Sequence, residues 1–124
     1  MANTDTALKE AMAITGALGV ALGDLDSGMS LGALALMPDL DLAVAAAGHT
    51  ELVRAQQRTL EMLGGEAGVI EDILVTLRGQ YHVIRPLTSH TGVGLFLVLV
   101  LDRGRANLAM ARHQLKQIEA ELDM

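Results

Sequence analysis

The sequence has no cysteine and no tryptophan, and only one tyrosine and one phenylalanine. Without cysteine there can be no disulfide, no thiol nucleophile and no thiolate-bound zinc. With so few aromatic rings there is no platform on which nucleic-acid bases could stack. Cations are also scarce: 9 lysines and arginines stand against 15 aspartates and glutamates, a formal net charge of −6. The short basic clusters predict no groove that tracks a phosphate backbone, which argues against nucleic acid as a partner. No apolar run approaches the roughly 20 residues that a helix needs to cross a bilayer. The N-terminal residues lack a positive segment, and Lys9 and Glu10 interrupt the apolar run that follows. No signal peptide and no membrane association are read, so the expected location is the cytoplasm.

What remains is small and aliphatic. Half of the chain (51%) is hydrophobic, so the core must be built from Leu, Val, Ile, Ala and Met. At 124 residues the sequence predicts one domain, 1–124, around one core. No stretch reads as a linker, an internal repeat or a low-complexity tract. A mean hydropathy of +0.37 is high for a small monomer and predicts apolar surface kept for a partner.

Residues 93–101 organise the chain. As a strand, one face would carry Val93, Leu95, Leu97, Leu99 and Leu101, and the other Phe96, Val98 and Val100, with Gly94 at its start. A strand that is apolar on both faces belongs in the middle of a sheet covered on both sides. The other elements follow in order. A helix is expected over 4–15, with Thr4 or Asp5 as cap and Gly16 just past its end. A strand is expected over 17–24, where Ala17, Gly19, Ala21 and Gly23 form a small-residue side that permits close packing. The cluster Asp24 to Gly28 predicts a turn into a strand over 29–35. Pro38 and Asp39 open a loop, and Asp39 or Asp41 can cap a long helix over 41–63. Its apolar stripe is Leu42, Ala45, Ala46, His49, Leu52, Val53, Gln56, Leu60 and Leu63. Strands are expected over 69–78 and 80–87, the first interrupted by Glu71 and Asp72. Pro86 must then sit at a strand end, at a bulge or on an unpaired edge. Residues 88–92 form a turn. A last helix over 106–122 carries Leu108, Ala111, Leu115, Ile118 and Leu122, with Asn107 or Asp102 as cap. This order predicts an α+β fold with a five-stranded antiparallel sheet.

No constellation of catalytic residues emerges. His49, His82, His90 and His113 form no metal-ligand spacing. Ser27, Ser30 and Ser89 lack a nucleophile elbow. The pairs Asp24/Asp26 and Asp39/Asp41 are explained by turns and caps. Glu71/Asp72 reads as a break in an aggregation-prone edge strand. No catalytic residue, metal site or cofactor is foreseen, and an enzyme is not expected.

Several runs together resemble the roadblock (dynein light chain) family in its small bacterial form. They are Ile14-Thr15-Gly16-Ala17-Leu18-Gly19, then Ser27-Gly28-Met29 with Leu31-Gly32, and Asp102 followed by Ala106 to Arg112. The resemblance covers about residues 4–122. It implies a three-layer sandwich of topology α-β-β-α-β-β-β-α with sheet order 2-1-5-4-3. The middle helix would cover one face, and the outer helices the other. It also implies a homodimer joined through the third strand and the middle helix, here Ala43, Ala46, Ala47, Val53, Val69, Ile70, Ile73 and Val75. Members of the family act without catalysis of their own, and many bind or regulate Ras-like small GTPases or scaffold signalling complexes. The family has no fixed partner-binding motif to carry over. Helix geometry makes Glu51, Arg54, Gln57, Arg58 and Glu61 the candidate docking surface. The alternatives are a dimerisation scaffold that serves no GTPase, and a sensor with a small ligand between sheet and helix.

Overall fold

In the computed structural model the described residues are 3–66, 68–88 and 94–122. The first helix, α1 (Thr4–Met12), begins where the Asn3 side chain accepts a hydrogen bond from the Thr6 N–H. The cap is thus Asn3, one residue before the two candidates, and the helix ends three residues short of the expected span. Ala7, Leu8 and Ala11 form its buried stripe. Two strands follow, β1 (Ala17–Asp24) and β2 (Ser30–Ala35), paired antiparallel around the Asp24 turn. There the Asp24 carboxylate accepts from the Asp26 N–H and the Ser27 hydroxyl. The long helix α2 (Leu42–Met62) is capped by Asp41, which accepts from the Val44 N–H. Then come β3 (Ile73–Thr76), β4 (Gln80–Pro86), β5 (Leu95–Asp102) and α3 (Leu108–Glu121), the last capped by Asn107. The expected turn at Ser89, His90, Thr91 and Gly92, and Val93 at the head of the central strand, lie outside the described residues.

The sheet order is β2-β1-β5-β4-β3, antiparallel throughout, with β5 at the centre. Its two apolar faces explain that position. Leu97, Leu99 and Leu101 pack with Val20, Leu22 and Val83 beneath α1 and α3. Phe96, Val98 and Val100 pack with Ala21 and Ile84 beneath Leu42, Ala46 and Val53 of α2. From Phe96 to Leu101 both sides of β5 are therefore withdrawn from water, at about 25 cal/mol per Å² of apolar surface.

The small residues of β1 make this packing possible. A Cβ at Gly23 would lie 2.5 Å from the Phe96 ring, and one at Gly19 would lie 2.6 Å from a Leu40 methyl. Pro86 closes β4, where the cost of a missing donor is smallest.

The third strand is shorter than its apolar pattern suggests. Val69 and Ile70 lie outside β3, and Asp72 is not a mere strand breaker. Its carboxylate pairs with Arg112 of α3 at 2.7 and 3.1 Å, while the Glu71 carbonyl accepts from Arg85 at 3.3 Å. These contacts draw residues 71 and 72 out of the ladder. Ladder pairing begins only at Ile73, opposite Ile84.

Candidate functional site

The free edge of β3 and the adjoining α2 are the first candidate surface. On β3, Ile73 and Val75 are half-buried on the α2 side, and Leu74 is 39% exposed on the other. Val69, just before the strand, is 76% exposed. Ile70 is half-buried on the same approach. This edge bears no charge from Ile73 to Leu77. An uncharged edge with free backbone groups is a template for pairing with another strand.

The helix presents different residues to different neighbours. Leu42, Ala46, Thr50 and Val53 face the sheet and are buried. Thr50 reaches that apolar face by donating its hydroxyl to the Ala46 carbonyl at 2.7 Å. His49 lies on the flank beside β4, where its Nε2 is 3.0 Å from Nδ1 of His82. His82 Nε2 is in turn 3.0 Å from Oε1 of Gln80. With the Gln80 amide oxygen accepting, His82 would carry its proton on Nε2 and accept at Nδ1 from His49. Burial pushes both imidazoles below their ordinary value, and for His49 the neighbouring His82 adds to it. Sequence spacing could not reveal this pair, because 33 residues separate its members.

The opposite flank of α2 turns toward the β1–β2 hairpin. The Ala47 backbone stands close to Gly28. Arg54 donates to the Asp26 carbonyl at 2.7 Å and lies 3.9 Å from the Glu51 carboxylate. Glu51, Gln57, Arg58 and Glu61 are exposed, and Arg54 is half-exposed. These five residues therefore share one strip along the hairpin side of the helix. Gln57 and Glu61 also rim an open trough of about 510 Å³ that runs down to Leu25, Val69 and Leu87. The eight residues expected at a dimer interface do not form one surface. Ala46 and Val53 are enclosed within their own chain, and Ala43 and Ala47 are exposed. Only Val69, Ile70, Ile73 and Val75 lie along the β3 edge or its approach. Leu52 belongs to the apolar stripe read from the sequence, yet it is exposed on the flank that carries His49.

On the far side of the sheet, Arg85 and Glu119 form a buried ion pair at 2.6 Å. The second Glu119 oxygen accepts from the Thr88 N–H at 2.7 Å. With Arg85 held to the Glu71 carbonyl, α3 clamps both the entry to β3 and the exit from β4. Among the described residues, no three His, Asp or Glu side chains are grouped to share a metal ion. No described helix is long and apolar enough to cross a membrane.

The sheet order, with one helix on one face and two on the other, is the arrangement of a known group of structures. The chain has the roadblock fold. It matches the Roadblock/LC7 domain from Streptomyces avermitilis with a TM-score of 0.75 and 17% identity, over 96% of this chain and 93% of that one. MglB of Myxococcus xanthus matches with a TM-score of 0.74 and 18% identity, over 93% and 84% of the two chains. The gliding protein MglB from Thermus thermophilus matches at 0.67 and 24% identity, over 93% and 87%. No family model matches the sequence, and no curated protein does either. The resemblance read from the local runs therefore holds in three dimensions.

Proposed function

We propose that the chain is a non-catalytic, homodimeric interaction module that binds or regulates a Ras-like small GTPase. The observation that supports dimerisation best is the uncharged β3 edge, with Leu74 open on one side and Leu52 of α2 exposed nearby. Antiparallel pairing of β3 with its twin would continue the sheet and cover that edge. In this reading Val69, Ile70, Ile73 and Val75 form the seam with Leu52. Ala46 and Val53 support it from beneath by holding α2 on the sheet. Ala43 and Ala47 belong to the exposed helix surface that accompanies it. The strip Glu51, Arg54, Gln57, Arg58 and Glu61 then receives the partner, with its two arginines flanked by acids. Such mixed charge favours selection and orientation of a partner more than raw affinity. Fold likeness is consistent with assembly: one MglB structure has a tetrameric arrangement.

Two measurements test the reading. Sedimentation should give a dimer that Leu74→Glu converts to a folded monomer. Immobilised chain should capture a Ras-like GTPase differently in its GTP and GDP states, and Arg54→Glu with Arg58→Glu should abolish capture. A dimer with no nucleotide-dependent capture would leave only a structural scaffold. A persistent monomer at high concentration would remove the proposal altogether.

A further inference from the structure

The opposite margin of the sheet is also open. Residues 27–37 carry no charge, and β2 runs through their middle as an edge strand. The Leu36 N–H donates to the Leu18 carbonyl, so the backbone groups of Leu36 and Leu34 point toward β1. By alternation, those of Ala33 and Ala35 point away from the sheet. The β1 partners jump from Gly32 to Ser30, which makes Leu31 the extra residue of a bulge and starts the free ladder at Gly32. Around this ladder Met29 is 64% and Leu36 63% exposed. Its length has neither a lysine nor an internal proline, the usual guards of an edge.

The charges lie at the ends. Asp24 and Asp26 precede the strand, and Asp39 and Asp41 follow it. Asp24 and Asp41 are engaged in turn and cap bonds, while Asp26 and Asp39 are exposed. These two bear on what can occupy the edge. In an antiparallel pair with a second copy, Asp26 of one strand would fall beside Asp39 of the other. In a parallel pair, like would face like. Either way acid meets acid at both ends. Arg54, the cation bound to the Asp26 carbonyl, is already beside Glu51.

We propose that the outer edge of β2 accepts an extended, apolar segment of a partner protein that has lysine or arginine at both ends. The segment would add as a sixth strand, bonded to the backbone of Ala33 and Ala35. Its apolar side chains would cover Leu34 and Leu36, and its cations would meet Asp26 and Asp39. Backbone bonds supply the affinity in strand addition, and side-chain chemistry supplies the selection.

Fluorescence anisotropy on the full chain can test this with labelled peptides of alternating valine and threonine. One bears two lysines at each end, and another two glutamates at each end. The lysine peptide should bind about tenfold or more tightly than the glutamate peptide, and the gap should narrow with salt. The Asp26→Lys/Asp39→Lys double variant should reverse the preference. Ala35→Pro removes an outward N–H and no bond to β1, so it should weaken binding by about tenfold or more while the circular dichroism spectrum is unchanged. If the proline unfolds the hairpin, the charge reversal decides alone, because it touches no ladder bond. Equal affinity for the two peptides would overturn the proposal. So would no binding at all, or oligomers of the chain that dissolve on Ala35→Pro, which would identify a second copy as the occupant.

Discussion

Replacing Glu119 by alanine should be among the most damaging single changes in the chain. The residue is 5% exposed, and its carboxylate answers three donors: Arg85 at 2.6 Å, the Thr88 N–H at 2.7 Å and the Thr88 hydroxyl at 3.4 Å. Alanine would strand the guanidinium of Arg85, a residue only 9% exposed, without its counter-charge. Breaking a buried pair from one side costs about 3–5 kcal/mol. A domain of this size has only about 5–15 kcal/mol in total. The melting temperature should therefore drop by roughly 10–20 °C. Arg85→Met alone should also destabilise, because it leaves Glu119 charged and buried. The double variant Arg85→Met/Glu119→Leu removes both charges, and such exchanges are often neutral or stabilising. It should recover most of the loss, because Thr88 is exposed and its freed N–H can turn to water. Urea unfolding of the wild type, Arg85→Met, Glu119→Leu and the double variant gives the coupling energy directly. If each single change costs under about 1 kcal/mol, or if the double variant loses the sum of the two, the buried-pair account is wrong. Hydrogen exchange adds a second readout. The clamp holds both ends of the β3–β4 hairpin, so Glu119→Ala should loosen amides near 71–73 and 88 before those of β5.

Arg112→Ala offers the contrast. Its bond to Asp72 is short and the arginine is half-exposed, but the Asp72 side chain beneath it is only 10% exposed, so the loss should be smaller than at Glu119, about 1–2 kcal/mol by urea unfolding. Gly23→Ala places a methyl 2.5 Å from the Phe96 ring and should cost about 1–3 kcal/mol, with a matching fall in the thermal midpoint. The histidine pair predicts a pH dependence. Both imidazoles are held below the ordinary value near 6.5, so the unfolded chain takes up protons that the folded chain resists. Stability is full above that value and falls as the pH drops through it, until the folded-state values are passed. A His49→Gln/His82→Gln variant should flatten this slope between pH 7 and 5 in denaturant titrations; an unchanged slope would place its origin elsewhere.

Much of the architecture was legible because it rests on local pattern. The two apolar faces of β5, the alternation of small residues in β1 and the 3–4 spacing in α3 each say how an element must be covered. Those signals need no knowledge of the partner that covers them. The strand before the Arg78 turn misled for a physical reason. Val69 and Ile70 are apolar enough to continue a ladder, but Asp72 finds Arg112, 40 residues away, and Arg85 finds the Glu71 carbonyl. Long-range polar bonds therefore overrode a local preference.

The candidate surfaces divide along the same line. By itself the sequence determined that the middle helix would be long and amphipathic, and that its polar side would carry Glu51, Arg54, Gln57, Arg58 and Glu61. It also placed an uncharged strand before Leu36. Only the tertiary structure decided how α2 is rotated on the sheet. That rotation buries Ala46, Thr50 and Val53, exposes Leu52, sends Arg54 to the hairpin and brings His49 to His82. Helical periodicity gives the width of an apolar stripe but not its angle to a distant strand. That angle is set by which side chains fit over Ala21, Ile84, Val98 and Val100 once the sheet exists.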